Sequence, residues 1–542
     1  MSVITVLVSA VVVSYLLDRL GTRIAALPVL LASVACGAVP ILWQPRSRHA
    51  RGDMAALAAV VLGVLGALVW LAWPELLPVG GGSDLTHHLQ LIDFIDRHGR
   101  LAHTAADALL LGNMVNYTPG SHLLASLAGA WAGTDGLHAV HPVVALTVAL
   151  KAGFVFLIAR RLLGGQLRAP FAVGAVLLLF TSYDYFIGSF ARFSFFAQVV
   201  AELFAVAMWL ALVLWERRPS AVAAGLFAVA GVGVFLTWPV WIGPPVVVLL
   251  ALALVRGDLP RLARVRYLGA ALAPIALVAA LHAAGRGESV AIVQTGGAAF
   301  WPGVARFGVP LLLLALAGTV LALRSASGRV TVGLLAVIAL QALALFAVAR
   351  VSGADSPYMA LKMPHLAIYP MAALAALTLA SMWRLLEHVV AAAIPDRWLP
   401  TGWGSVVASL LVIGGVAWTA ARFASVPRPE LAITENAFRA GRWARDHVQP
   451  DCVEYLVRHD STSYWLHQAV LRNPMQPAPG VASPVFVYRD ALVRWITGTS
   501  LPVAIADLSL VPREVREDLD VLARFGHIAV GRRRGTSGCA LR

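Results

Sequence analysis

A chain of 542 residues with 59% hydrophobic and only 13% charged side chains, and a mean hydropathy of +0.78, has too little polar surface to cover a soluble fold; this excludes an ordinary globular enzyme and directs the chain to a bilayer. Its formal charge of +14 does not imply a nucleic-acid partner, because no RNA- or DNA-binding motif accompanies the arginines, which sit in loops between apolar runs.

Runs long enough to cross about 30 Å of hydrocarbon at about 1.5 Å per residue occur near 2–18, 27–43, 54–78, 142–159, 169–183, 195–215, 219–236, 240–255, 267–285, 307–323, 330–349, 364–383 and 403–421. The fold class expected is an α-helical multi-pass membrane protein of about 13 spans. With a cytoplasmic N-terminus, the inner loops collect Arg46, Arg48, Arg51, Arg160, Arg161 and Arg168, and further arginines after the sixth, eighth, tenth and twelfth runs. This is the positive-inside bias. It predicts a plasma-membrane protein in which a large loop, 79–138, and everything beyond about 424 are exported. The first run leads through DRLGTR to the next with no small-residue cleavage site, so it reads as an uncleaved anchor.

Two parts are expected, a transmembrane domain over 1–423 and an extracytoplasmic α/β domain over 424–542. In the tail, ENAFRAGRWARDHVQP reads as an amphipathic helix stopped by Pro450, DCVEYLVR as a strand, and PVAIADLSL and HIAVGRR continue the mixed pattern. Cys452 and Cys539 both fall in this exported tail and are expected to pair, the alternative being two free thiols too far apart. Cys36 lies within the second run and is expected to be an inert core residue. Trp443, Tyr455, Tyr464, Trp465 and Trp495 read as core or, alternatively, as a carbohydrate-stacking surface.

The exported loop opens with GGGSDLTHHLQLIDFIDRHGRL, residues 80–101. Ser83 or Asp84 is a plausible N-cap, and Leu85, Leu89, Ile92 and Ile95 recur at helical spacing. A short helix lying on the membrane is predicted, one face in the interface and the other toward water, with Asp93 and Asp96 on its solvated face. A second helix begins at Pro119 in NYTPGSHLLASLAGAW, with Leu123, Leu124 and Leu127 on its apolar face and His122 near its start.

These motifs resemble the GT-C superfamily of membrane glycosyltransferases, in particular its aminoarabinose-, mannosyl- and arabinofuranosyltransferase-like branches. In that family a juxtamembrane helix of the first exported loop carries Asp-Glu-x-x-Tyr with a glycine fifteen residues after the Asp. Asp84 matches the first position, His88 takes that of the tyrosine, and Gly99 keeps the spacing. Tyr117-x-Pro119-Gly120-x-His122 is similar to the stretch that opens the second juxtamembrane helix. Two departures stand: Leu85 replaces the second acid, and the loop follows the third span rather than the first. The resemblance implies transfer of a sugar from a polyprenyl-phosphate donor to a cell-envelope glycan, lipid or protein.

The chemistry asks for a base to take the acceptor's proton, for which Asp84 is the candidate, and for cations or N–H donors at the leaving phosphate. Lys362 is the first candidate there, since only it and Lys151 are lysines among the 42 Lys and Arg residues; its alternative is a snorkelling interface residue. Arg192 is the second, its alternative an interface anchor. His87, His88, Tyr117 and His122 complete the expected donor- and substrate-binding set. A divalent cation held by Asp84 with His87 or His88 is an alternative, although adjacent histidines on a helix point about 100° apart. Lys151 and Glu202 lie at membrane depth, where ionisable groups are costly and default to function, or else pair with each other. The competing readings are a glycan polymerase or ligase centred on Arg192 and His122, and a multi-pass transporter or lipid flippase.

Overall fold

The computed structural model describes residues 1–43, 51–80, 83–163, 168–285, 299–354, 356–393, 403–425, 428–474, 484–536 and 539. The chain runs through α1 (Ser2–Arg19), α2 (Ala26–Trp43) and α3 (Arg51–Ala72), then through the short helices α4 (Ser83–His98), α5 (Ala105–Leu111) and α6 (Gly120–Ala132). There follow α7 (Gly136–Leu162), α8 (Arg168–Leu179), α9 (Gly188–Ala191), α10 (Phe196–Arg217), α11 (Ala221–Thr237), α12 (Gly243–Val255) and α13 (Arg261–Gly285). The bundle is completed by α14 (Val304–Phe307), α15 (Val309–Ala322), α16 (Ala326–Val351), α17 (Tyr358–Ala393) and α18 (Trp403–Ser425).

Among the described residues, eight helices are long and apolar enough to cross a membrane, and five shorter apolar helices accompany them. Each apolar run of the sequence falls on one of these thirteen. The third run ends early, at Ala72, because Trp73 precedes Pro74 and a residue before proline is disfavoured in the helical region. The protein is thus a multi-pass, α-helical membrane protein. α10 is buried on nearly every side, whereas Leu313, Leu316, Leu340, Leu343, Leu410 and Leu411 on α15, α16 and α18 are exposed, the outward apolar surface that lipid covers. Cys36 also faces outward, which corrects the expectation of a core residue: in a bilayer an apolar side chain has no need to turn inward.

The turn from α6 to α7 is tight. Gly133 adopts φ 72° at the end of α6, and the Thr134 N–H donates to Gly129 O at 2.9 Å. A Cβ on Gly129 would lie 2.5 Å from the carbonyl carbon of Asp135 and 2.7 Å from the nitrogen of Gly136, so only glycine lets the helix and the turn approach this closely.

Beyond α18 lie α19 (Glu435–His447), β1 (Val453–Leu456), α20 (Asp460–Trp465), α21 (Tyr488–Thr497), β2 (Val503–Asp507), α22 (Arg513–Asp518), β3 (Leu519–Phe525) and β4 (Ile528–Arg533). The sheet has the order β1-β2-β4-β3, with β1 parallel to β2 and the other pairs antiparallel. Strand residues alternate between its faces. Val453, Tyr455, Val503, Ile505 and Val530 join the main core, while Leu456, Ala504, Ala506 and Ala529 pack with Ala491 and Trp495 of α21. A disulfide joins Cys452, just before β1, to Cys539 beyond β4, with Cα atoms 6.4 Å apart. Tyr455, Tyr464, Trp465 and Trp495 are fully buried, so these four hold the unit together, while the half-buried Trp443 stacks on His447.

The loop after α3, the α1–α2 turn and this C-terminal unit share one end of the bundle. Leu101 N–H donates to Asp18 Oδ1 at 2.7 Å, His103 Nε2 lies 2.8 Å from Asp18 Oδ2, and Trp131 Nε1 donates to Ala26 O at 2.9 Å. Val79 and Leu431 form an antiparallel β-bridge. It is flanked by Ala432 N–H to Pro78 O at 3.0 Å and Gly80 N–H to Glu430 O at 3.2 Å.

Candidate functional site

α4 forms where its apolar spacing predicts, but its setting differs from the expected amphipathic surface helix. Leu85, Leu89, Ile92 and Ile95 are buried, and so are Thr86, His88, Gln90 and Asp93 around the other side. One flank packs on α6 and α7, where Ile92 meets Gly136, and the other meets the C-terminal unit. Asp93 and Asp96 are therefore not a solvated face. Asp93 is bound by Arg97 at 2.9 Å and, through two bonds of 2.9 and 3.1 Å, by Arg472 of the C-terminal unit. Asp96 Oδ2 accepts the first amide of α7, Gly136 N–H, at 2.7 Å. Burial pushes its carboxyl up to about 6, against the bonds from Ser126 and Gly136 and with help from the charges of Asp135 and Asp93.

Asp84 is the second residue of α4, at the positive end of its dipole. The side chains of Ser83 and Asp84, and all of Gly81 and Gly82, lie outside the described residues. One turn on, His88 Nδ1 and His122 Nε2 of α6 are hydrogen-bonded at 2.9 Å. Burial, with the neighbouring His88, holds His122 well below the usual imidazole range, so this ring is neutral at pH 7 and one proton serves the contact. Tyr117 stands edge-on to both rings, with centroids at 5.2 and 5.6 Å, and Phe196 stands edge-on at 6.0 Å from each. Thr118 Oγ1 donates to Thr237 O at 2.8 Å, and Gly120 sits so close to the end of α11 that a Cβ there would lie 2.7 Å from Leu236 O. These contacts fix the start of α6, and with it His122.

Phe195, next to Phe196, carries the link to a second predicted residue. The buried ammonium of Lys362, in the second turn of α17, lies 2.8 Å from the Phe195 ring centroid and 4.8 Å from that of Tyr358. His365, one turn further, is buried edge-on to Tyr185 and Phe195 and tilted against Phe300. The structure thus brings His88, Tyr117 and His122 into one cluster and sets Lys362 behind the Phe195–Phe196 pair. It does not gather Arg192 there: that side chain is 66% exposed and pairs with Asp184 at 3.5 Å, which also holds Arg306 at 3.2 Å. His87 turns away as well, its Nε2 2.8 Å from Tyr464 Oη in the C-terminal unit.

Lys151 and Glu202 form a fully buried ion pair, and the Tyr369 hydroxyl donates to the same carboxylate. Among the described residues no three His, Cys, Asp or Glu side chains converge as a metal-ligand set, and His87 and His88 have different partners, Tyr464 and His122. Residues that sequence reasoning missed include His365, Phe195, Phe196, Arg472 and Asn473. The two phenylalanines lay within an apolar run, and no local pattern marked the two tail residues.

No family model and no curated protein matches the chain by sequence. Solved structures do match by fold. The archaeal oligosaccharyltransferase AglB from Archaeoglobus fulgidus, in complex with an inhibitory peptide and a dolichol-phosphate, superposes with a TM-score of 0.51 at 15% identity, over 85% of this chain and 70% of that one. ArnT from Cupriavidus metallidurans bound to undecaprenyl phosphate matches with a TM-score of 0.47 at 16% identity, over 89% and 98% of the two chains. At such identities the likeness is one of fold alone, a multi-pass helical membrane fold shared with AglB.

Proposed function

Taking this shared fold as premise, we propose that this protein is an integral-membrane glycosyltransferase of the GT-C superfamily. It moves a sugar from a polyprenyl-phosphate donor to a cell-envelope glycan, lipid or protein on the extracytoplasmic side of the plasma membrane. In this reading residues 1–423 form the transmembrane domain with a cytoplasmic N-terminus, and the loop at 79–138 and residues 424–542 lie outside. The observation that carries the reading is the buried cluster of His88, Tyr117 and His122 one turn beyond Asp84, with the Lys362 ammonium across Phe195 and Phe196. The imidazole cluster and the Lys362 ammonium then flank one aromatic pair, Phe196 against His88 and His122 and Phe195 against Lys362. The dolichol-phosphate named for the AglB structure is the class of lipid phosphate that such a donor would release.

Asp84 takes the proton of the acceptor hydroxyl as its oxygen bonds to the anomeric carbon. The bond from that carbon to the phosphate oxygen breaks from the opposite face, inverting the centre. The charge released on the lipid phosphate is met by Lys362, whose field is weakly screened because the side chain is buried. His88, His122 and Tyr117 supply hydrogen bonds to donor or acceptor.

The test is complementation of a deletion strain by Asp84→Asn, with membrane expression checked and envelope glycans profiled. A general base contributes about 10²–10⁴-fold, so the expected result is normal expression with a truncated glycan and accumulated lipid-linked sugar. Full activity would refute Asp84 as base and favour the glycan-ligase or transporter reading.

A further inference from the structure

Three polar residues of α4 at a spacing of three, His87, Gln90 and Asp93, form one stripe, and each of them ends on the C-terminal unit. His87 meets the Tyr464 hydroxyl at 2.8 Å, Gln90 Nε2 donates to Asn473 O at 3.2 Å, and Asp93 receives the two bonds from Arg472. All three partners lie in one stretch, Tyr464–Asn473, more than 370 residues further along the chain. That stretch is irregular: a π-helical turn spans Leu466–Val470, and Arg472 sits at φ 68°, in the left-handed region where a non-glycine residue is held only by its surroundings.

The stretch is itself anchored to the sheet. Asn473 Nδ2 lies 3.0 Å from His467 Nδ1, and the same nitrogen lies 2.9 Å from the Tyr455 hydroxyl on β1. Resting on the reading of α4 as the catalytic helix, we infer that the segment Tyr464–Asn473 is a structural part of the active site. It clamps α4 from outside the membrane, and Arg472 is the positioning residue that sets where the first turn of α4, which carries Asp84, stands. A fork of two charge-assisted bonds fixes direction as well as distance, and a helix transmits a displacement at residue 93 to its first turn. Misplacement of a catalytic group by about 1 Å costs up to roughly 10²-fold in rate.

The experiment uses the full-length protein in lipid nanodiscs, comparing wild type with Arg472→Met, Arg472→Lys and Tyr464→Phe. Amide exchange of the α4 peptide is read together with steady-state transfer from a synthetic polyprenyl-phosphate sugar. Arg472→Met is expected to speed exchange across α4 and to lower kcat by about 10- to 10²-fold, with KM for the donor within about twofold. Lysine, which keeps the charge but not the fork, recovers part of both. If Arg472→Met does not fold, Tyr464→Phe removes one tether and is expected to show the same changes at smaller amplitude. Unaltered α4 exchange overturns the clamp, and so does faster exchange with an unaltered kcat. If wild type transfers no sugar from any polyprenyl-phosphate donor, the glycosyltransferase reading falls, and α4 exchange alone still decides the clamp.

Discussion

Replacing Asp96 by asparagine is expected to stabilise this protein at neutral pH and not at pH 4. Asp96 is largely buried between α4 and the start of α7, and its carboxyl is pushed from 3.8 up to about 6, first by burial and further by the charges of Asp135 and Asp93. An acid whose folded-state value is raised binds its proton more tightly folded than unfolded. Stability is therefore greatest below the unfolded value, falls as pH rises from about 4 through about 6, and stays lower above that. Two units at about 1.4 kcal/mol each put the deficit at pH 7.5 on the order of 3 kcal/mol. Asparagine carries no charge to bury, and its amide oxygen can keep the bond from Gly136 N–H, which measures 2.7 Å. The assay is thermal unfolding of wild type and Asp96→Asn in the same detergent at pH 4.5, 6 and 7.5. The variant should melt several degrees higher at pH 7.5, with the gap closing toward pH 4.5. Asp107→Asn serves as the opposite control. Burial raises that carboxyl, but the bonds from Arg100 and from the His103 and Thr104 amides outweigh it and leave it below the usual range, so its loss should destabilise at pH 7.5. An Asp96→Asn gap of the same size at every pH would refute the argument from burial.

Two further outcomes are expected. Lys151→Met leaves the Glu202 carboxylate buried without its cation, a loss of about 3–5 kcal/mol, whereas Lys151→Met combined with Glu202→Gln should recover most of it; survival of the monodisperse species after graded heating measures both. Gly129→Ala drives a methyl group against the backbone of Asp135 and Gly136 and should cost about 1–3 kcal/mol, read as a lower melting temperature.

The spans were legible because hydrocarbon demands an unbroken apolar run, and that demand is local in sequence. α4 was legible through another local signal, the helical spacing of Leu85, Leu89, Ile92 and Ile95. Its surroundings were not. A polar stripe such as His87, Gln90 and Asp93 is written identically whether it meets water or another part of the chain, and Arg472 lies 379 residues from Asp93. Cys36 was misread because lipid accepts an outward cysteine as readily as a core does. Of the site, His88, Tyr117 and His122 came together from motifs within 34 residues of one another. The placement of Lys362 against Phe195 depends on where α17 packs, which no spacing within α17 encodes.

The short β-bridge between Val79 and Leu431 also sets an order of assembly. The strand that leads into α4 finds its partner only after the last membrane helix has emerged, and the adjoining bond from Glu435 N–H to Glu75 joins residues 360 apart. At about 5–20 residues per second of synthesis, the loop that bears Asp84 waits roughly 20–70 s for the segment that completes it. Until then α4, α5 and α6 stand without the C-terminal unit that covers them. A chain stalled or clipped before residue 431 would hold every span needed to anchor it in the bilayer and none of the closure needed to work there.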